Sequence, residues 1–182
     1  VIAGKYDKVI FATGAKPVMP PIKGIDKPFV VGANDLLTDK ASYGKKVVVI
    51  GGGLVGCETA CHCAEKAEDI TIIEMLPEIL MTTKHSKNND QALRQLIEDC
   101  NINIITGAKV IEFNDNKVAY EKNGEKFTID TDTVAIAAGY RSNTTLYDAV
   151  HSQIDCAVVG DAEVPDNILK AVHHGFHIAR CI

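Results

Sequence analysis

Long apolar runs are missing from this sequence. No stretch of its 182 residues approaches the ~18 needed to cross a bilayer, so no membrane partner is expected. Positive charge is also short: 19 Lys and Arg face 24 Asp and Glu, for a net charge of −5. Nucleic acid is therefore not expected as a partner either, because phosphate binding needs a basic face. Paired C-x-x-C spacing is absent, although there are six cysteines, at 57, 61, 63, 100, 156 and 181. That absence speaks against a zinc ribbon or a redox dithiol. With no secretory or targeting pattern in view, the cysteines read as thiols in a reducing cytoplasm. Internal repeats and low-complexity segments are lacking too. What remains is a composition of 46% hydrophobic and 24% charged residues, enough for one substantial core or two small ones. The chain opens on Val1 rather than Met, mid-flow, as at a cut boundary.

The order of apolar runs predicts an α/β chain. Asp7 to Thr13 reads as a short buried strand entering a turn at Gly14. Prolines at 17, 20, 21 and 28 make residues 16–40 an extended connection. Lys46 to Ile50 is a β-branched run suited to a parallel strand buried on both faces. A helix over 54–66, a strand over 70–73, an amphipathic helix over 86–100 and a strand over 102–105 follow. In that second helix Leu93, Leu96 and Ile97 share the apolar face. This alternation predicts a parallel sheet. Three short strands over 109–113, 117–120 and 126–129 come next, joined by Asn114-Asp115-Asn116 and Asn123-Gly124, which are hairpin turn signals for an antiparallel meander. Buried strands over 133–138 and 157–159 and a helix over 167–182 complete the pattern.

Chemistry concentrates after the Lys46–Ile50 strand. Gly51, Gly53 and Gly56 form G-x-G-x-x-G between that strand and a helix, the context a dinucleotide site requires. The first glycine permits the tight turn, the second a close approach of backbone to pyrophosphate, and the third close helix–strand packing. Leu54 and Val55, which open the helix, would turn their amides to the phosphates. The competing account is an ordinary glycine-rich turn. Glu74 ends the next strand, about 20 residues on, where a carboxylate can accept from adenosine ribose hydroxyls. It would repel a 2′-phosphate, and Met75, Leu76 and Pro77 offer no arginine, so NADH is expected over NADPH. Glu74 could equally be a solvated strand-end carboxylate. Glu58 reads as a first-turn helix carboxylate, or as a neighbour of the nicotinamide ribose or carboxamide. Both readings stand.

Metal binding is not expected. Cys61 and Cys63 point about 200° apart around a helix and cannot share an ion. They and Cys57 read as small buried helix residues. His173 and His177 have i, i+4 spacing, but no carboxylate completes a triad.

The segment Tyr6-Asp7-Lys8-Val9-Ile10-Phe11-Ala12-Thr13-Gly14-Ala15-Lys16-Pro17 resembles the ATG segment of flavoprotein pyridine-nucleotide oxidoreductases. Ile154 to Asp161, ending Val159-Gly160-Asp161, resembles the late motif whose aspartate binds the FAD ribityl chain in that superfamily. With a NAD-type fingerprint between them, the order resembles the thioredoxin-reductase-like plan of a NAD domain inserted into an FAD domain. GGGLVGCETA over 51–60 and AGYRSN over 138–143 look most like the reductase half of 2-enoate and 2,4-dienoyl-CoA reductases, which join such a half to an old-yellow-enzyme-type barrel.

The resemblance implies NAD contacts at Gly51, Gly53, Gly56 and Glu74, with Ala138 and Gly139 passing near the nicotinamide half. It implies FAD-side positions at Ala12, Thr13, Gly14, Gly160 and Asp161. It implies three segments: an FAD-domain remnant and linker over 1–32, a Rossmann-like NAD(H) domain over 33–143, and a second FAD-domain remnant over 144–182. The partners implied are the remainder of a parent polypeptide, its barrel and its FAD domain, with FMN and an iron–sulfur cluster held elsewhere in it. NADH would pass hydride to FAD for reduction of an enoate or enoyl thioester. The chain holds a single G-x-G-x-x-G, so by itself it is expected to lack an FAD pyrophosphate site and to be inactive, with no catalytic acid, base or nucleophile of its own. The alternatives are a piece of an NADH oxidase or an amine-dehydrogenase relative, or a non-catalytic nucleotide-sensing module.

Overall fold

The computed structural model describes residues 2–4, 6–81 and 87–181. Its contacts divide the chain into two compact units, Met19–Gly139 and a second formed by Val1–Val18 with Tyr140–Ile182. The chain opens with β1 (Val9–Phe11) and β2 (Ala15–Pro17). It then builds the central unit from β3 (Val30–Gly32), α1 (Ala33–Leu37), β4 (Lys46–Ile50), α2 (Leu54–Cys63), β5 (Asp69–Ile73), α3 (Lys87–Asp99) and β6 (Asn103–Ile105). The meander β7 (Ala108–Asn114), β8 (Lys117–Lys122) and β9 (Glu125–Asp130) follows, and β10 (Thr133–Ile136) closes that unit. The last segments are β11 (Tyr140–Ser142), α4 (Thr145–Val150), β12 (Cys156–Val158) and α5 (Ile168–Ala179).

The central unit is a five-stranded parallel sheet in the order β3-β10-β4-β5-β6. Along β4 the side chains alternate faces, as strand geometry requires. Val47 and Val49 join a cluster with Cys57, Ala60, Cys63, Leu93 and Ile97 from α2 and α3. Val48 and Ile50 join Phe113 and Val118 of the meander on the opposite face. Helices cover one face and the antiparallel sheet the other, so an unbroken Val/Ile run is stable at the centre. The meander turns need left-handed backbone. Asp115, Asn116, Asn123 and Gly124 take φ of 48°, 54°, 54° and 81°. Short polar residues and glycine accept that region most readily.

In several places the structure departs from the sequence-based expectation. Residues 16–40 are not only extended connection: β3 pairs in parallel with β10, and α1 follows it directly. The prolines end at Pro28, and the strand begins where they stop. Residues 19–32, expected with the first segment, thus lie in the central unit. Leu96 is exposed at 50%, whereas Leu93 and Ile97, one full turn apart, are buried. Leu96 falls on the flank of the apolar stripe. Ser86, the expected start of that helix, lies outside the described residues. β1 buries only Phe11, because its parallel pairing with β12 forms a two-stranded sheet. Among the described residues no helix is long and apolar enough to cross a membrane.

Burial of α2 against the sheet sets the chemistry of its cysteines. Desolvation pushes the Cys57 thiol up to about 12 and Cys63 to about 11, and it also raises Cys61. A thiol harder to ionise in the folded state than in the unfolded one adds stability that is fully present below pH ~9. That stability is lost as pH climbs from there toward the folded values. At pH 8 a thiol reagent should label exposed Cys100 and Cys181 first, and Cys57 and Cys63 only after denaturation. Prompt labelling of Cys57 in the native chain would contradict its burial.

Candidate nucleotide and flavin sites

The glycine turn leaves β4 and enters α2. Gly51 takes φ +108°, and a Cβ there would sit 2.4 Å from the Ala137 carbonyl oxygen. At Gly56 a Cβ would come within 1.8 Å of the Gly51 carbonyl oxygen, so this glycine holds the helix against its own turn. Gly53 is different. It caps α2 with φ −74° and ψ −174°, and a Cβ there would meet nothing within 4 Å. Its missing side chain therefore leaves open space in front of the first helical amides. Those amides, from Leu54 and Val55 onward, have no carbonyl a turn earlier to accept from them.

The middle glycine, which the spacing rule passes over, is the most tightly held. Gly52 is buried, and its N–H donates to Glu74 Oε2 at 2.6 Å. Its carbonyl accepts from Leu80 N–H at 2.7 Å. Glu74 is fixed in turn, since its N–H donates to Ile105 and its carbonyl accepts from Ala108. Its other carboxylate oxygen accepts from Leu76 N–H at 2.7 Å. Glu74 is thus more than a solvated strand end: it staples the glycine turn to the end of β5. A carboxylate offers roughly four lone-pair sites, and two amides leave acceptor capacity on both oxygens. Ala138 lies beside Gly51, and Gly139 takes φ +89°. Glu58 is exposed and is the fifth residue of α2, so it lies beyond the first turn, where the sequence reading had put it. A helix-dipole contact weakens at that distance from the terminus.

The other unit contains the second group of residues. Thr13 Oγ1 donates to the Asn143 carbonyl at 2.5 Å, Asn143 N–H donates to the Gly14 carbonyl, and Asn143 Nδ2 donates to the Thr13 carbonyl. Asn143 is therefore the anchor of this turn, a role its place in AGYRSN did not reveal. A cleft of about 320 Å³ is lined by Ala12, Gly14, Gly160, Asp161, Asn167 and Ala171, among others. Gly14 and Gly160 adopt φ of +68° and +61°. Asp161 Oδ1 accepts from Asp166 N–H at 3.3 Å, while Asn167 caps α5 by accepting from Lys170 N–H. Two of the α5 histidines have local partners. His174 Nδ1 lies 2.9 Å from Glu163 Oε2, and His177 Nε2 lies 4.0 Å from Cys181 Sγ.

A family model described as pyridine nucleotide-disulphide oxidoreductase matches residues 3–172. The chain belongs to that family. Members bind FAD and NAD(P)H, in keeping with two glycine-lined sites in one chain. Cinnamate reductase of Clostridium sporogenes is 35% identical over 180 residues, covering 97% of this chain and 26% of that protein. An NADH oxidase of Thermoanaerobacter brockii is 40% identical over 180 residues, covering 95% of this chain and 27% of its own length. A solved 2-naphthoyl-CoA reductase complex superposes with a TM-score of 0.88 at 30% identity, across 100% of this chain and 28% of that one. The chain spans about a quarter of the length of these relatives. The resemblance to 2-enoate and 2,4-dienoyl-CoA reductases holds at the level of a 2-enoate/enoyl reductase-type flavoprotein, as does the α/β Rossmann-like fold.

Proposed function

We propose that this chain is the NAD(H)-binding portion of an oxidoreductase that reduces an enoate or enoyl thioester through FAD. The observation that carries the reading is the glycine turn. Gly51 and Gly56 accept no side chain, while Gly53 leaves room in front of the α2 amides for a pyrophosphate. When bound, NADH supplies a hydride and FAD accepts it. The Leu54 and Val55 amides orient the pyrophosphate, and Glu74 accepts from the adenosine ribose with the capacity its two amide bonds leave free. Ala138 and Gly139 pass the nicotinamide half. In the other unit, Thr13, Gly14, Gly160 and Asp161 contribute the flavin-side wall. There Asp161, with one oxygen already accepting from Asp166 N–H, would have its other oxygen to offer a polyol hydroxyl. The name of the Clostridium sporogenes relative supports an α,β-unsaturated acid as the final acceptor.

The reading is tested in the intact protein. Anaerobic NADH should bleach its flavin, and a cinnamate-type acid or its CoA thioester should restore the colour faster than oxygen does. Faster reoxidation by oxygen favours the second reading, an NADH oxidase, which the 40% identity to the Thermoanaerobacter brockii protein supports.

Cofactor preference gives a separate check on Glu74. A 2′-phosphate about 4 Å from its carboxylate costs roughly 1 kcal/mol in water and about 4 kcal/mol near a protein surface. NADPH should therefore bind the 182-residue chain at least about fivefold more weakly than NADH. Glu74→Gln should narrow that ratio. It should also weaken NADH itself, because an amide nitrogen replaces one acceptor on Gly52 or Leu76. Calorimetry at low salt reads both effects, and equal affinity for the two cofactors in the unmodified chain would remove Glu74 from the ribose.

A further inference from the structure

We infer that Arg94, on α3, is a positioning residue for the dinucleotide turn, acting through the single peptide group that joins Ile79 to Leu80. The inference rests on the proposal that the turn holds NADH. Arg94 Nη2 donates to the Ile79 carbonyl at 2.9 Å, and the N–H of the same peptide, belonging to Leu80, donates to the Gly52 carbonyl at 2.7 Å. One rigid, planar group thus carries a cation at its acceptor end and the glycine turn at its donor end. A cation on the carbonyl polarises the peptide and strengthens donation from its N–H.

Two further observations make the arginine necessary. Leu80 adopts φ +64°, a left-handed conformation that a branched side chain disfavours, so something must hold it there. Part of that restraint comes from burying the Leu80 side chain, which is 5% exposed. The carbonyl end of the same peptide is held by Arg94, beside a hollow of about 240 Å³ that Ile79 and Arg94 help to line. Arg94 is itself steered by Asp90, one helical turn earlier, with Nε 3.3 Å from Oδ2. With Glu74 on the Gly52 N–H and Leu80 on its carbonyl, both polar groups of Gly52 face inward. The amides of the following residues are then left to meet the ligand. Arg94 governs that orientation without touching the ligand.

The test compares NADH affinity and the hydrogen-exchange rate of the Leu80 amide in the 182-residue chain, in Arg94→Gln and in Arg94→Lys. Gln should weaken NADH about three- to tenfold and speed Leu80 exchange, as loss of a charged donor predicts. Lys, which keeps a charged donor, should recover most of both, and NADPH should weaken in parallel with NADH. Unchanged NADH affinity in Arg94→Gln overturns the inference. So does a loss confined to NADPH, which would mean that Arg94 meets a phosphate directly. Failure of the unmodified chain to bind NADH overturns the proposed function instead. In that case unchanged Leu80 exchange in Arg94→Gln would overturn the inference on its own. If Arg94→Gln does not fold, Arg94→Lys carries the test, and loss of NADH binding by more than about tenfold there counts against the inference.

Discussion

Gly53→Val is expected to abolish NADH binding while the chain still folds. The backbone at Gly53 is ordinary extended backbone, φ −74° and ψ −174°, so valine meets no conformational barrier there. A Cβ there would touch nothing within 4 Å, so core packing should not change. The fold loses only the preference for glycine over a branched residue at a helix cap. That amounts to roughly 1 kcal/mol, or about 2–4 °C in Tm for a chain of this size. Binding loses far more. The branched side chain would fill the space that the open turn presents to phosphate oxygens. It would displace charge-assisted hydrogen bonds worth roughly 1.5–3 kcal/mol each. Losing two weakens NADH by about a hundredfold or more. A titration beside a thermal melt separates the two effects. A variant that binds NADH normally would make the turn a purely structural element, and the proposed function would fall with it.

The same turn shows how far sequence alone could reach. The motif rule picks out Gly51, Gly53 and Gly56 because each does something a side chain would prevent. Position in a strand–turn–helix is enough to infer that. Gly52 carries no such signature: any residue may stand there in the pattern. Its importance comes from Glu74, 22 residues on, and Leu80, 28 residues on, both of which reach it through the fold. Ile79 and Leu80 look like two more core residues, and nothing in their chemistry announces a left-handed backbone. Asp90 and Arg94 form a local i, i+4 pair, whereas the contact of Arg94 with Ile79 is tertiary.

Legibility in the fold follows the same division between local and distant causes. Asn-Asp-Asn and Asn-Gly marked the meander turns because the left-handed φ they need is a local demand. β3 left no comparable trace. Three residues after a proline-rich stretch are too few to show a period, and their strand character comes from pairing with β10, more than a hundred residues later. Asn143 was missed for a related reason. Its bonds to Thr13 and Gly14 span about 130 residues of chain, and only the folded unit brings them together.

Gly56→Ala, the smallest change a glycine can undergo, is expected to be the most damaging to the fold. The added methyl would sit 1.8 Å from the Gly51 carbonyl oxygen and 2.9 Å from its carbon. Both are backbone atoms, so no side-chain rotation relieves the clash. Gly51 cannot retreat, because its N–H is bonded to Ile73 and its own Cα hydrogen faces the Ala137 carbonyl region. The helix must therefore lift off the sheet. Lifting α2 opens the packing of Cys57, Ala60 and Cys63, all fully buried. Overpacking of this kind costs roughly 3 kcal/mol or more, a Tm loss of about 10 °C for a chain of this length. Gly175→Ala in α5 is the control. Its Cβ would meet nothing within 4 Å, and replacing a mid-helix glycine by alanine should stabilise by roughly 0.5–1 kcal/mol. The identical chemical change should thus move Tm in opposite directions at the two sites. If Gly56→Ala melts with the unmodified chain, α2 is not seated on its turn as closely as the 1.8 Å approach requires.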